Sequence, residues 1–343
     1  MRILPRIAIM LVLAAVCTAA EAPGFRVTKA YPVPGDGGFD YIVFDASSNR
    51  LYVSHENVVN VLDAQTGKHI GKVEGTPKVH GIAIVPVLHH GFTSNEGDST
   101  VSVFDTATFK TIKKIPVARQ PDFIFYDPLT KRVLVCHEEG QVITAIDPEK
   151  NEVVGKLELG DEAEAAVVKS RDSAFVNLEK ANMVVSFDPQ RLTIKQRWPI
   201  PGCTAPVPLG IDAANSRLFI GCRSKVLAVM DANTGKVITV LPIGGRVDAV
   251  IFDPDSKMVF ASNGEGMISV IRQKSANEYE PAGTIKTQTT AKTMALDPST
   301  KRLFLSAVDT QTADEFGPNA QTRPKPGTFK VLVVERQLPA AGK

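Results

Sequence analysis

Between Phe39 and Gly75 the chain reads FDYIVFDASSNRLYVSHENVVNVLDAQTGKHIGKVEG, three short alternating apolar runs and a weaker fourth, separated by turn residues. Period-two alternation bounded by Asp, Asn, Ser and Gly marks half-buried strands. The stretch is therefore a four-stranded antiparallel unit, and it recurs. The first strand of each unit ends at Asp45, Val85, Asp127, Lys169, Asp212, Asp253 and Asp297, in steps of 40 to 44 residues. The third ends at Asp63, Asp105, Asp147, Asp188, Asp231, Arg272 and Glu335. Four strands in a period of this length is the pattern of a propeller blade, and seven is a common blade number. The sequence predicts an all-β, seven-bladed propeller of four-stranded antiparallel blades.

The seventh unit stops after its third strand, Phe329 to Val334, and lacks a fourth. The segment of about residues 25–35 supplies one. Its Tyr31-Pro32-Val33 reads like Ile115-Pro116-Val117, Trp198-Pro199-Ile200 and Leu241-Pro242-Ile243, each a last strand carrying a proline. Proline is tolerated on an outermost strand, which has an unpaired side. The N-terminal strand is thus expected to complete the last blade and close the ring. An insertion of about residues 309–328 interrupts that blade between its second and third strands and is long enough for a binding loop.

The recurring Asp residues have a structural cause. Asp45…Arg50, Asp127…Arg132, Asp212…Arg217 and Asp297…Arg302 bracket tight turns, where Asp side chains accept from following backbone amides. In Asp63-Ala-Gln-Thr-Gly67 and Asp231-Ala-Asn-Thr-Gly235 the glycine serves a positive-φ position.

Residues 1–20 stand apart. Arg2 and Arg6 precede the apolar run Ile7–Val16 and the small residues Thr18, Ala19 and Ala20, the pattern of a secretory signal peptide. Val16 fits poorly before a lipidated Cys17. The rest, 21–343, reads as one propeller, periplasmic or secreted, monomeric and without a membrane span. Loss of Arg2 and Arg6 takes the formal charge from +2 to 0, so no basic surplus exists to hold a polyanion. Of the remaining cysteines, Cys203 and Cys222 both belong to the fifth unit and fall toward the same end, so a disulfide between them is expected in an oxidising compartment. Cys136 reads as a buried strand-end thiol.

Repeat arithmetic also places candidate site residues. Five positions before each first-strand end lie Asp40, His80, Asp122, Glu164, Val207, Asp248 and Lys292. These should ring one mouth of the central channel. Four carboxylates, a His and a Lys converging there favour proton sharing, a raised carboxylate pKa or a bound cation. His80 with Asp40 and Asp122 suits a divalent metal; polar residues at a wet channel mouth are equally expected without one. Ten and eleven positions after the strand end come His55, His137, Glu138, Glu179 and Arg223, further out on the same face. His55 and His137 lie two blades apart, each followed by Glu, and their plain reading is exposed loop histidine. No nucleophile elbow, phosphate-binding glycine loop, His-Glu-x-x-His or haem-attachment motif occurs.

Phe44-Asp-Ala-Ser-Ser-Asn-Arg-Leu-Tyr-Val53, Ser99-Thr-Val-Ser-Val-Phe-Asp105 and Leu296-Asp-Pro-Ser-Thr-Lys-Arg-Leu-Phe304 resemble the YVTN-repeat, or YncE-like, family of bacterial propellers. The resemblance covers essentially the whole chain after residue 20 and implies an extracytoplasmic seven-bladed propeller. It also implies binding of protein or nucleic-acid partners rather than assigned chemistry. WD-repeat and kelch patterns fit less well, with one Trp, Trp198, and no recurring Gly-Gly.

Three functions follow as expectations. The leading one is a non-enzymatic binding propeller that engages a protein or small ligand at the channel mouth, without a cofactor. The second is a metal-assisted lactonase-type hydrolase or lyase, with the inner ring holding the metal and His80 or a carboxylate as base. The third, single-stranded nucleic-acid binding, comes from the family resemblance, and neutral charge and 6% aromatic content weigh against it.

Overall fold

The computed structural model describes residues 22, 24–311 and 323–337. The expected signal segment 1–20, Cys17 and most of the 309–328 insertion lie outside the described residues. Seven four-stranded antiparallel sheets form a ring of blades. Each blade runs outward from an innermost strand, such as Phe39–Asp45, Val79–Val85 or Pro121–Asp127. Two short 3-10 turns, Pro86–Leu88 and Glu96–Asp98, are the helical pieces among the described residues, and none of the described helices is long and apolar enough to cross a membrane.

The N-terminal strand Phe25–Pro32 is the outermost strand of the seventh sheet. It pairs with Lys330–Arg336, from Phe25 opposite Arg336 to Pro32 opposite Lys330. Joining the two chain ends in one sheet removes the open edges that a linear array would leave. Outermost prolines sit where the sequence placed them: Pro116 pairs Thr100, Pro199 pairs Met183 and Pro242 pairs Val226.

The core lies between blades rather than within them. Leu51 and Val53 of blade 1 pack with Phe304 and Val331 of blade 7, and Tyr52 meets Phe104 of blade 2 at 5.9 Å between ring centroids. Two turn glycines belong to this packing. A Cβ on Gly67 or Gly235, at φ 73° each, would strike the ring of Tyr31 or Trp198 respectively, contributed by the preceding blade.

The Asp…Arg pairs do two jobs. Asp carboxylates accept from amides two and three residues on, as Asp127 does from Leu129 and Thr130. The arginines of the odd blades reach the next blade: Arg50 donates to the Thr106 carbonyl at 2.6 Å, Arg132 to Pro189, Arg217 to Ala276 and Arg302 to Ala64. The last of these bridges the seam between blades 7 and 1.

Candidate functional site at the channel mouth

The inner strands do not begin as regular ladders. In blades 1 to 5 the pairing with the second strand skips two residues near the start, Asp40 and Tyr41 in blade 1, His80 and Gly81 in blade 2, Asp122 and Phe123 in blade 3. A bulge frees a pair of residues from the ladder and re-aims their side chains. Serines on the second strand satisfy the freed backbone: the Asp40 amide donates to Ser54 Oγ at 3.1 Å and the Gly81 amide to Ser94 Oγ at 2.8 Å. In these five blades the repeated bulge turns one position toward the channel.

At that position the side chains form a connected chain. Lys292 Nζ lies 3.2 Å from Asp248 Oδ2 and 3.3 Å from Asp40 Oδ1. His80 Nδ1 lies 2.6 Å from Asp40 Oδ2 and 3.2 Å from Asp122 Oδ1, while its Nε2 is 2.9 Å from Glu96 Oε2. Both ring nitrogens face carboxylates, so both donate and the ring is an imidazolium. Burial opposes its charge, but the hydrogen bonds and charges of Asp122 and Asp40 outweigh that and push its pKa up to about 11. Lys292 is likewise raised against burial by Asp248 and Asp40.

The acids differ in how well they are matched. Burial works against the charge of Asp40, yet Lys292 and His80 hold its carboxyl below the usual range. Burial raises Asp122 and Asp248 despite those same cations. Glu164 is 5% exposed. Burial first, then the charge of Asp122 and the charge and hydrogen bond of Glu179, raise it to about 10. Glu138 is raised to about 7, by burial and then by Asp122. Glu179 is paired with Arg223, whose Nε donates to Oε1 at 2.9 Å. One side of the mouth, over blades 3 and 4, thus carries acid that protein cations do not neutralise.

Beneath the ring is a channel cavity of about 220 Å³, bounded by Tyr41, Phe123, Ala165, Val207, Leu209 and Asp248 among others. Tyr41 and Phe123 face each other at 5.5 Å between centroids. The Tyr41 hydroxyl points back to Asp122 Oδ2 at 3.4 Å.

His55 and His137 are elsewhere. Neither is an exposed loop residue: they are 1% and 0% exposed. Each Nδ1 donates to a carbonyl of the loop arriving from the preceding blade, Pro34 at 3.3 Å and Arg119 at 3.2 Å. Asn263, their repeat-mate in blade 6, donates to Gly244 in the same way. The position fastens inter-blade loops, and burial lowers the pKa of both histidines, His137 to about 4. Cys203 and Cys222 are joined as a disulfide, with Cα atoms 5.6 Å apart, and Cys136 is a buried free thiol. Three residues of the mouth escaped the sequence reading as site residues: Glu96, Tyr41 and Phe123. Glu96 shares the register of Glu138 and Arg223, which was the available signal. The other two follow from the bulge, which repeat counting does not reveal.

Solved structures similar to this chain include the structure of U3-55K and the crystal structure of RRP9 WD40 repeats, both with a TM-score of 0.75 and 8% sequence identity. The first match covers 91% of this chain and 99% of the other, the second 93% and 99%. At that identity the likeness is one of fold. No protein-family model and no curated protein matches the sequence.

Proposed function

We propose that this chain is a non-enzymatic binding propeller, of the YVTN-repeat kind, that works outside the cytoplasm and takes a cationic ligand at the acidic mouth of its channel. One observation carries the ligand's charge: among the described residues no Lys or Arg side chain lies within ion-pair distance of the Glu138 and Glu164 carboxyls, and burial and neighbouring acids raise both above their ordinary pKa. A ligand cation relieves that repulsion. The Cys203–Cys222 bond and the signal-like pattern of residues 1–20 support an oxidising compartment. The absence of a nucleophile motif supports binding over catalysis.

The test is calorimetry of the chain from residue 21 with matched probes: alkylammonium ions, calcium, manganese and a short basic peptide against butyrate and an acidic peptide. Cations should bind and anions should not, and Glu138→Gln with Glu164→Gln should weaken the binding. Failure of every cation to bind would contradict the reading.

A second reading has its own observation. One ligand atom each from Asp40, His80 and Asp122 lie within 4.8 Å of one another. Two carboxylates and an imidazole suit a divalent metal such as zinc or manganese. Glu96 on the far nitrogen would orient the ring. A metal there would have to displace the proton that His80 now shares with both acids. Its chemistry would be polarisation of a carbonyl, as in a hydrolase or lyase. Metal analysis of wild type against His80→Ala tests this: stoichiometric metal lost in the variant supports it, and equal metal contents in the two proteins contradict it.

A further inference from the structure

The ring of charge is incomplete at one place. From blade 6 round to blade 3 its signs alternate through Asp248, Lys292, Asp40, His80 and Asp122, with neighbours 2.6 to 3.3 Å apart. In blade 4 the alternation calls for a cation, and Glu164 stands there. In blade 5 the position is Val207, which is 5% exposed and carries no charge. Among the described residues no cation lies within ion-pair distance of the Glu164 carboxyl. On the same face Arg223 is engaged with Glu179 and Lys180 with Glu162.

The same place opens onto hydrocarbon. Ala165, the residue after Glu164, and Val207 line the channel cavity of about 220 Å³ together with Tyr41 and Phe123. Acid at the rim and an apolar, aromatic chamber beneath it is a two-part receptor. It asks for a ligand with a positive head and an apolar body. A bare divalent ion would use several acid oxygens and leave the chamber unexplained. Lys292 already shows how the ring holds an ammonium, with Nζ between two carboxylates and 6.0 Å from the Phe39 ring centroid.

We propose that the gap between Asp122 and Glu164 is the seat of a small organic amine, whose ammonium completes the alternation and whose hydrocarbon body enters the cavity beside Val207, Tyr41 and Phe123. This rests on reading the mouth as a cation receptor, and adds the seat and the ligand class. A hydrogen bond to a charged group contributes about 1.5–3 kcal/mol, so replacing Glu164 by a side chain that cannot ionise when the ammonium arrives should weaken binding about ten- to a hundredfold.

The experiment titrates the chain from residue 21 with n-butylammonium, 1-butanol, butyrate and calcium chloride, following heat and backbone-amide NMR shifts. Butylammonium should saturate, with shifts centred on Ala165 and Val207. Butanol and butyrate should bind far more weakly. Glu164→Gln should lose ten- to a hundredfold in affinity. Glu164→Lys should abolish binding by supplying the missing cation from within, with an unchanged or higher melting temperature. Should that variant fail to fold, Glu164→Gln decides alone. Unaltered butylammonium affinity in the Glu164 variants, butanol binding as tightly as the ammonium, or shifts centred elsewhere would overturn the seat. Binding of calcium without butylammonium would overturn the amine and leave the cation receptor standing; no binding by any cation would remove both.

Discussion

Lys292 and Asp40 are 252 positions apart in the chain, yet the Lys292 ammonium lies 3.3 Å from the Asp40 carboxylate, at the seam where the last blade meets the first. The contact exists only in the closed ring. The same ammonium lies 3.2 Å from Asp248, so one cation serves acids on both sides.

Removing that cation should therefore expose two acids to each other. Lys292→Met is expected to destabilise the fold by about 1–3 kcal/mol, below the roughly 3–5 kcal/mol of breaking a fully buried pair because the Lys292 side chain is 34% exposed. Adding Asp40→Asn should restore part of the loss, because the orphaned charge goes with it. Thermal melts of the two single variants and the double variant form the cycle that measures this. An unchanged melting temperature in Lys292→Met would show that the ring is held by its strands alone.

His137 gives a pH dependence with a definite direction. Burial holds the folded pKa at about 4, against an ordinary 6.5. Between those values the unfolded chain binds a proton that the folded chain does not, so stability falls as pH drops from 6.5 to 4 and levels off below. The full effect of this one group is roughly 3 kcal/mol. His137→Asn, which installs the residue found at the equivalent position Asn263, should flatten this part of the profile. Denaturant melts from pH 7 to pH 4 on both proteins check it, and parallel profiles would contradict the assignment.

The Cys203–Cys222 bond closes a loop with a sequence separation of 19 and ties the segment leading to Pro206–Val207 onto the second strand of blade 5. Replacing both cysteines by Ser is expected to cost about 2–4 kcal/mol. Wild type melted under reducing conditions should approach the variant. If it does not, or if the variant melts as wild type does, the bond contributes little to the fold.

The fold was legible because its signals are local and repeated. Turn chemistry, strand alternation and the missing fourth strand of the last unit each point to the same ring, and the pairing of Phe25–Pro32 with Lys330–Arg336 follows from counting. Repeat counting also found the ring position, because the same number of residues separates Asp40, His80 and Asp122 from the ends of their strands. What counting cannot give is radial depth. His55 and His137 lie at a strand end that looks exposed in sequence, but the loop from the preceding blade folds over it, and that cover depends on the close approach of Pro34 and Arg119. Pairing within the ring was hidden for a similar reason. The sequence shows six polar residues at one register, while their order around the closed circle, with Lys292 next to Asp40, leaves Glu164 as the acid without a cation.

A ligand cation bound at the blade 3–4 side of the mouth is expected to replace a proton there. With its pKa raised to about 10 by burial and by the charges of Asp122 and Glu179, the Glu164 carboxyl is expected to carry its proton at pH 7. An ammonium seated beside it would favour the ionised form. The most direct measurement is calorimetric titration of n-butylammonium at pH 7 in buffers of different ionisation enthalpy, which counts protons exchanged on binding. The expected result is release of close to one proton per ligand in wild type and of none in Glu164→Gln. Binding with no proton release, or with the same release in the variant, would contradict it.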